Sequence, residues 1–274
     1  MSMNLGMRLL KKAFRAQSFH VSPFLVLGDP TPDLSVELAA AAVKEGATML
    51  EIGFPYGDPV ADGPAVQAAD LRALQGGTST GKAIQILSRI RESCPKTPLN
   101  LLVYGNLVHA RGYERFCHDV TEAGASSLLV PDISLEESSA LRKASRKAGL
   151  GHVELVGPLT KPDRLRRIDR AANAFIYLVA RQGVTGVRNG SFDAVADLVL
   201  RTTAELNNPL CLGFGLSRPE QVMAAFGAGA SIAVVGSHLA RVIGKAWEEE
   251  TTDRNLRVVE RFTEALRPLV TAGK

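Results

Sequence analysis

Eight short apolar runs, separated by stretches with helical periodicity, are the feature that most constrains the fold of this chain. Each run is rich in Val, Ile, Leu or aromatic residues and ends in Gly, Pro or a polar residue, as buried strands do. The runs lie at residues 24–28, 48–53, 99–104, 126–131, 152–157, 174–180, 209–215 and 231–236. Strands separated by helices pair in parallel through right-handed crossovers. Eight such units in 274 residues predict an α/β fold, a single (β/α)8 (TIM) barrel domain over residues 1–274, rather than an open doubly wound sheet.

Both ends of the chain carry amphipathic helical patterns outside these eight units. Residues 1–20 mix basic residues such as Lys11 with apolar ones such as Leu10 at helical spacing. This start imitates a transit peptide, but no small-residue cleavage pattern follows it. We therefore expect an extra N-terminal helix that caps one end of the barrel. The pattern over residues 247–269, charged on one face and apolar on the other, predicts a final outer helix.

The composition excludes several classes of function. The 32 basic and 28 acidic residues give a formal net charge of +4, too small and too dispersed for a nucleic-acid-binding protein but compatible with an anionic substrate. No apolar run reaches the roughly 20 residues that a membrane helix needs. Because Cys94, Cys117 and Cys211 are irregularly spaced and odd in number, we expect no disulfide framework and no metal site. Free thiols favour a reducing cytoplasm.

Two carboxylates flank a stiff loop after the second apolar run. Glu51 lies within that run, where a buried charge is costly and requires a reason. Strand alternation can place its side chain on the inward face of a barrel. Asp62, eleven residues later, follows a loop whose many Gly and Pro residues indicate a defined conformation. Since active sites of such barrels lie at the carboxyl ends of the strands, both are candidates for one catalytic pocket.

Structural roles for the same two residues remain open at this point. Glu51 can be the partner of a buried Arg, and Asp62 can cap the helix that begins near Ala65. Taken together, the two acids favour a functional site, because both would lie at the same end of the barrel.

Glycine-bearing loops late in the chain predict an anion site. The seventh and eighth runs end in GFG (213–215) and GSH (236–238), and the loop after the sixth contains GVTG (183–186). Glycine lets backbone amides approach an anion, and a helix that begins after Gly236 presents free N–H groups and its positive dipole end. Barrels commonly bind phosphate in the loops after strands seven and eight. The alternative is that Gly213, Gly215 and Gly236 only permit tight turns and that Ser237 is a helix N-cap.

These segments together resemble the tryptophan synthase α subunit family. The resemblance spans about the whole chain and is carried by PFLVLGDPTPD, LEIGFPYGDPVADGPAVQ, LLVYGNLV, LLVPDISLEES, IYLVARQGVTG, LGFGLSRPEQV and VVGSHLA. It implies a (β/α)8 barrel that cleaves indole-3-glycerol phosphate to indole and glyceraldehyde 3-phosphate, a retro-aldol reaction without metal or organic cofactor. It also implies a β subunit as partner, in an α2β2 complex that passes indole on for tryptophan synthesis.

The resemblance implies roles for individual residues. Glu51 would protonate indole C3 and help to remove the glycerol hydroxyl proton, while Asp62 would hold the indole N–H and stabilise the developing positive charge. Thr185 would lie in a mobile loop that closes over Asp62, and Tyr177 would hydrogen-bond near Glu51. Other positions implied for substrate are Phe24, Leu102, Leu129 and Phe214, those for phosphate are Gly186, Gly215, Gly236 and Ser237, and those facing the partner are Pro55, Tyr56, Gly57 and Asp58.

Some positions depart from the family pattern. Tyr56 and Gly57 replace a common Phe-Ser, Ala180 replaces a Ser, and His238 replaces a small or apolar residue. None of these changes removes a catalytic residue. The change at Tyr56 and Gly57 bears on partner affinity and allosteric signalling rather than on the lyase reaction, and His238 either contacts the phosphate or faces solvent at a helix start.

Three other functions remain as alternatives. The altered partner-facing loop fits a stand-alone lyase of another pathway. A non-catalytic regulatory or binding barrel is a second alternative, although the intact carboxylate pair argues against it. A third is a different phosphosugar aldolase or isomerase, because a barrel with a phosphate site does not select a substrate. A lysine Schiff base is disfavoured, since no Lys lies in any of the eight apolar runs.

Overall fold

The computed structural model describes residues 4–179, 192–213 and 215–273. Its strands are β1 (His20–Val26), β2 (Leu50–Gly53), β3 (Leu99–Leu102), β4 (Ser127–Leu129), β5 (Gly151–His152), β6 (Glu154–Val156), β7 (Ile176–Val179), β8 (Leu210–Gly213) and β9 (Ile232–Val235). Its helices are α1 (Leu5–Ala16), α2 (Pro32–Glu45), α3 (Pro64–Gln75), α4 (Thr80–Ser93), α5 (Gly105–Arg111), α6 (Tyr113–Glu122), α7 (Ser139–Ala148), α8 (Pro162–Ala171), α9 (Phe192–Thr203), α10 (Pro219–Gly227), α11 (Ser237–Glu248) and α12 (Arg254–Ala272).

The strands form one parallel sheet in the order β5-β4-β3-β2-β1-β9-β8-β7-β6. The two ends of this sheet are consecutive in the chain, because only Val153 separates β5 from β6. Val153 still donates its N–H to the carbonyl of Leu128 in β4 (3.0 Å), whereas Glu154 is already in register with Ile176 of β7. The sheet therefore curves until its ends meet at Val153, and the predicted barrel is confirmed.

Buried side chains form two apolar layers, one on each side of the strands. Strand alternation sends Leu50 and Ile52 outward, into the cluster that the strands share with the surrounding helices. Met49 belongs instead to a smaller cluster inside the barrel. Glu51, which points inward from β2, consequently lies in a largely apolar interior.

Helix α1 closes the end of the barrel at which the strands begin. Asn4 caps it by accepting the Met7 N–H (2.6 Å) and donates its own amide to the carbonyl of Ala125, just before β4 (3.1 Å). Met7 and Leu10 are buried in the same cluster as Met49. Helix α1 does not cover the opposite end, where the strands terminate and where barrels of this type place their active sites.

The element boundaries differ from the expected ones most clearly in three places. The fifth run forms two short strands because its residues change pairing partner at Val153, and the first strand begins at His20 rather than at Phe24. At the carboxyl end, Trp247 belongs to α11, and α12 begins only at Arg254, after Asp253 accepts the Leu256 N–H as N-cap (3.0 Å). None of the described helices has the length and apolar character needed to cross a membrane.

Candidate active site

Glu51 is the buried acid inside the barrel. It lies on β2, in register with Phe24 of β1 and Asn100 of β3, and it is only 4% exposed. The hydroxyl of Tyr177, from β7 across the barrel, donates a hydrogen bond to its Oε2 (3.2 Å). Burial raises the pKa of Glu51 to about 8; the charge of Asp62 adds to the shift, whereas the Tyr177 bond opposes it. At neutral pH this carboxyl group is therefore largely protonated.

Gly213 makes room for the tyrosine that contacts Glu51. A Cβ atom at Gly213 would lie 2.0 Å from the Tyr177 hydroxyl oxygen, a distance that no side chain tolerates. Gly213 is in register with Val179, two residues beyond Tyr177 on the neighbouring strand β7. Glycine at position 213 thus leaves the space through which the Tyr177 side chain reaches Glu51.

Asp62 lies in a tightly turned loop between β2 and α3. Within this loop Val60 donates its N–H to Asp58 O (2.9 Å) and Asp62 donates to Pro59 O (3.0 Å). The Tyr104 hydroxyl donates to Asp62 Oδ2 (2.7 Å) and accepts the N–H of Ala61 (3.0 Å). Burial raises the pKa of Asp62 above its ordinary value, and the Tyr104 bond opposes that shift. The loop is ordered by its own hydrogen bonds and by one tyrosine.

Neither structural role considered for the two acids, an arginine partner for Glu51 or a helix cap for Asp62, is seen among the described residues. Among the described residues, Glu51 bonds to Tyr177 rather than to an arginine. Helix α3 begins at Pro64 with Gly63 as its N-cap and has no side-chain capping bond. Asp62 instead presents its carboxylate to Tyr104. Both carboxylates thus lie at the carboxyl ends of barrel strands without serving a helix cap.

Apolar side chains line the barrel interior around Glu51. Four of the expected substrate-contacting residues belong to the interior cluster, namely Phe24, Leu102, Leu129 and Tyr177. Phe24 and Leu102 are 6% and 7% exposed, which makes them walls of the interior rather than surface residues. An aromatic ring placed between these walls would meet Glu51 in an environment of low polarity.

Two of the expected phosphate residues, Gly236 and Ser237, lie beside the Asp62 loop. Gly236 is the N-cap of α11 and Ser237 is its first residue, so the first backbone N–H groups of this helix have no intrahelical acceptor. An ideal Cβ on Gly63 would lie 3.9 Å from Ser237 Oγ, which brings the Asp62 loop next to this helix start. Gly215 has a φ of +86°, a conformation that favours glycine. Thr185, Gly186, Phe214 and Ala180 lie outside the described residues.

The expected partner-facing residues differ in exposure. Pro55 is buried, Tyr56 is half-buried, and Gly57 and Asp58 are exposed. The Tyr56 ring stacks on Tyr104 at 4.9 Å between centroids and 22° between planes. The loop therefore has an exposed tip and a buried base.

His238 is half-buried on the first turn of α11. Burial lowers its pKa, and Arg241 lowers it further. Its neutral form is thus favoured at pH 7, which argues against a charge-assisted phosphate contact. Within the described part of the chain, no group of three or more His, Cys, Asp or Glu side chains is arranged to hold a metal ion.

Sequence reasoning missed two polar residues of this region. Tyr104 ends the third apolar run, which is where a barrel places active-site groups, so its position was the available signal. Asp70 is 4% exposed on α3, accepts the backbone N–H of Tyr56, and has its pKa raised to about 8 by burial and by the charges of Asp62 and Asp29. Its signal was its spacing of four residues from Val66, which places both on the buried helix face.

Comparisons with known proteins agree with this geometry. A family model described as tryptophan synthase alpha chain matches residues 10–267. The tryptophan synthase alpha chain of Methanothermobacter thermautotrophicus is 40% identical over 259 residues, covering 94% of each chain. That of Prochlorococcus marinus is 41% identical over 224 residues, which cover 82% of this chain and 81% of the relative.

Solved structures give the same result. Tryptophan synthase subunit alpha from Legionella pneumophila has a TM-score of 0.86 at 29% identity, covering 99% of this chain and 98% of that chain. A chain of the tryptophan synthase a2b2 complex from Pyrococcus furiosus has a TM-score of 0.83 at 30% identity, covering 92% of this chain and 98% of that chain. This chain therefore belongs to the tryptophan synthase alpha chain family, whose members are lyases that cleave indole-3-glycerol phosphate.

Proposed function

We propose that this chain cleaves indole-3-glycerol phosphate to indole and glyceraldehyde 3-phosphate with Glu51 as acid and base and Asp62 as the anion at the indole nitrogen. The observation that carries this assignment is the burial of Glu51, which raises its pKa to about 8, at the same barrel end as a second carboxylate that the Tyr104 hydroxyl holds. A neutral acid beside an anionic one is the combination that this reaction needs.

The first step moves a proton from Glu51 to C3 of the indole ring. Indole is a poor leaving group as a carbanion, but protonation at C3 lets the ring accept the electrons of the bond that breaks. The positive charge that results is shared with the ring nitrogen, whose N–H faces the Asp62 carboxylate. A fixed anion in a site of low polarity stabilises this charge without having to reorient.

The second step breaks the carbon–carbon bond. Glu51, now a carboxylate, removes the proton of the glycerol hydroxyl, and the aldehyde carbonyl forms. The electron pair of the broken bond returns to the ring and restores the aromatic indole. Glu51 ends the cycle protonated, so the reaction consumes no external acid or base.

Substrate orientation follows from the two ends of the site. The phosphate is bound by the first N–H groups of α11 at Gly236 and Ser237, and Gly215 and Gly186 are the other residues that we assign to it. The indole ring is packed between Phe24, Leu102 and Leu129, and Phe214 and Thr185 are further residues that we assign to the substrate. Fixing both ends of the substrate places C3 within reach of Glu51.

We further propose that the chain assembles with a tryptophan synthase β subunit into an α2β2 complex in the cytoplasm. A solved structure similar to this chain is described as the tryptophan synthase a2b2 complex of Pyrococcus furiosus. The exposed tip at Gly57 and Asp58 gives the partner a surface on the same loop that carries Asp62. Three buried, unpaired cysteines suit a reducing compartment.

Steady-state indole release tests these proposals. The purified chain is given indole-3-glycerol phosphate alone and with an equimolar β subunit. We expect indole in both cases and a higher rate with the partner. Absence of indole in both cases would overturn the lyase proposal. Equal rates would overturn the partnership and favour the stand-alone lyase that the altered Tyr56 and Gly57 suggest.

The pH dependence of the isolated chain should be bell-shaped. Activity requires Glu51 protonated and Asp62 ionised. Because burial raises the pKa of Glu51 to about 8, kcat/KM should fall as the pH rises through that value. Because the pKa of Asp62 is raised above its usual range, the acidic limb should lie above the pKa of an ordinary aspartate. A rate of indole release that stays constant above pH 8 would contradict the role of Glu51.

A further inference from the structure

We propose that Tyr104 is a positioning residue for the lyase reaction, holding the Asp62 carboxylate toward the indole nitrogen with its hydroxyl while Tyr56 fixes its ring. This inference rests on the proposed function, since it assigns a task to Tyr104 through Asp62. Neither tyrosine is needed to transfer a proton to substrate.

The Tyr104 hydroxyl bonds to the Asp62 loop at two points. It donates to Asp62 Oδ2 at 2.7 Å and accepts from the Ala61 N–H at 3.0 Å. One bond fixes the carboxylate and the other fixes the backbone of the residue before it. With Oδ2 engaged, Oδ1 is the oxygen that we assign to the indole N–H.

The position of this hydroxyl is set by the barrel as well as by the loop. Tyr104 follows β3, is 2% exposed and belongs to the interior cluster. Its ring is stacked by Tyr56 at 4.9 Å. The Tyr56 hydroxyl in turn accepts a hydrogen bond from Asn106 Nδ2 on α5 (3.4 Å). Through Tyr104 and Tyr56, the Asp62 carboxylate is thus held in a fixed position relative to β3 and α5.

The hydroxyl also favours the charged form of Asp62. A hydrogen bond donated to a carboxylate lowers its pKa, which offsets part of the effect of burial. Among the described residues, the other titratable groups that interact electrostatically with Asp62 are Glu51 on β2, Asp70 on α3 and Tyr177 on β7. The adjoining helix α11 carries His238 and Arg241. Burial favours the neutral forms of Glu51 and Asp70 at pH 7, whereas the Tyr104 hydrogen bond favours the charged form of Asp62.

Removing only the Tyr104 hydroxyl tests the inference. Tyr104→Phe keeps the ring and its stacking on Tyr56. We expect kcat for indole release to fall about tenfold or more, as when a charged acceptor loses its donor, with little change in KM. The acidic limb of the pH profile should move to higher pH, because the pKa of Asp62 is no longer lowered. Tyr113→Phe, a half-buried tyrosine on α6, is the matched control and should retain wild-type kinetics.

A double variant identifies the route of the effect. If Tyr104 acts through Asp62, adding Tyr104→Phe to Asp62→Asn should cost no further activity. Full additivity of the two losses, or an acidic limb unchanged in a folded Tyr104→Phe protein, would overturn the inference. Wild-type activity in Asp62→Asn would instead overturn the proposed role of Asp62 itself. Circular dichroism and thermal unfolding check that each variant is folded.

Discussion

Replacing Glu51 with glutamine should reduce kcat for indole release by roughly 10²–10⁴-fold, the range expected when a general acid and base is lost. Glutamine has the same shape and can still accept the Tyr177 hydrogen bond, but it has no proton to give to indole C3. Substrate binding should change less, because the apolar walls and the phosphate end of the site are untouched. Single-turnover measurements at saturating substrate separate the chemical step from binding.

The same substitution should stabilise the folded protein at neutral pH. The pKa of Glu51 is about 8 in the fold against 4.5 for the free side chain. Above pH 4.5 the unfolded chain gains a charge that the folded chain resists, so native Glu51 costs stability, increasingly up to its folded pKa. Glu51→Gln removes this cost, a gain of roughly 3 kcal/mol at pH 7 that disappears below the unfolded pKa. Denaturant unfolding at pH 7 and pH 4 measures it.

Glu154→Gln provides the matched control. Glu154 is also a buried barrel glutamate, 6% exposed, but it bonds to His152 and Arg142 away from the interior cluster. The control should keep its kcat and lose stability, the reverse of the behaviour expected for Glu51→Gln. Equal losses of kcat in both folded variants would contradict a specific role for Glu51.

The sequence was sufficient to predict the barrel and the inward acid. A parallel strand is buried on both faces, so its residues form a continuous apolar run, and eight such runs can be counted directly. Glu51 stood out because it breaks that pattern. The inward direction of the Glu51 side chain follows from strand alternation alone, since Met49 is inside the barrel and both Leu50 and Ile52 face the helices.

The contacts that join separate strands could not be predicted in the same way. Tyr104 reaches Asp62 only because β2 and β3 pair in a register that aligns Gly53 with Leu102. A tyrosine that ends an apolar run is equally compatible with a wall residue. Asp70 was missed for a different reason, since an isolated acid in a helix is usually solvated. In this fold it is buried beside the Asp62 loop, where it accepts the backbone N–H of Tyr56.

Asp62→Asn should lower kcat by roughly 10²–10³-fold, comparable to the loss of one group that stabilises a developing charge. The amide oxygen of asparagine can still accept the indole N–H, so KM should change much less than kcat. Asp33→Asn, an exposed aspartate on α2, is the control for the chemical change and should leave the rate unaltered.

The pH profile of Asp62→Asn gives a second readout that a general loss of packing would not produce. The Asp62 charge raises the pKa of Glu51, so its removal should move the basic limb of the kcat/KM profile to lower pH. A folded variant with reduced kcat and an unchanged basic limb would mean that Asp62 acts on the substrate without electrostatic coupling to Glu51. A shifted limb together with a lower kcat would show that the two carboxylates titrate and work as a pair.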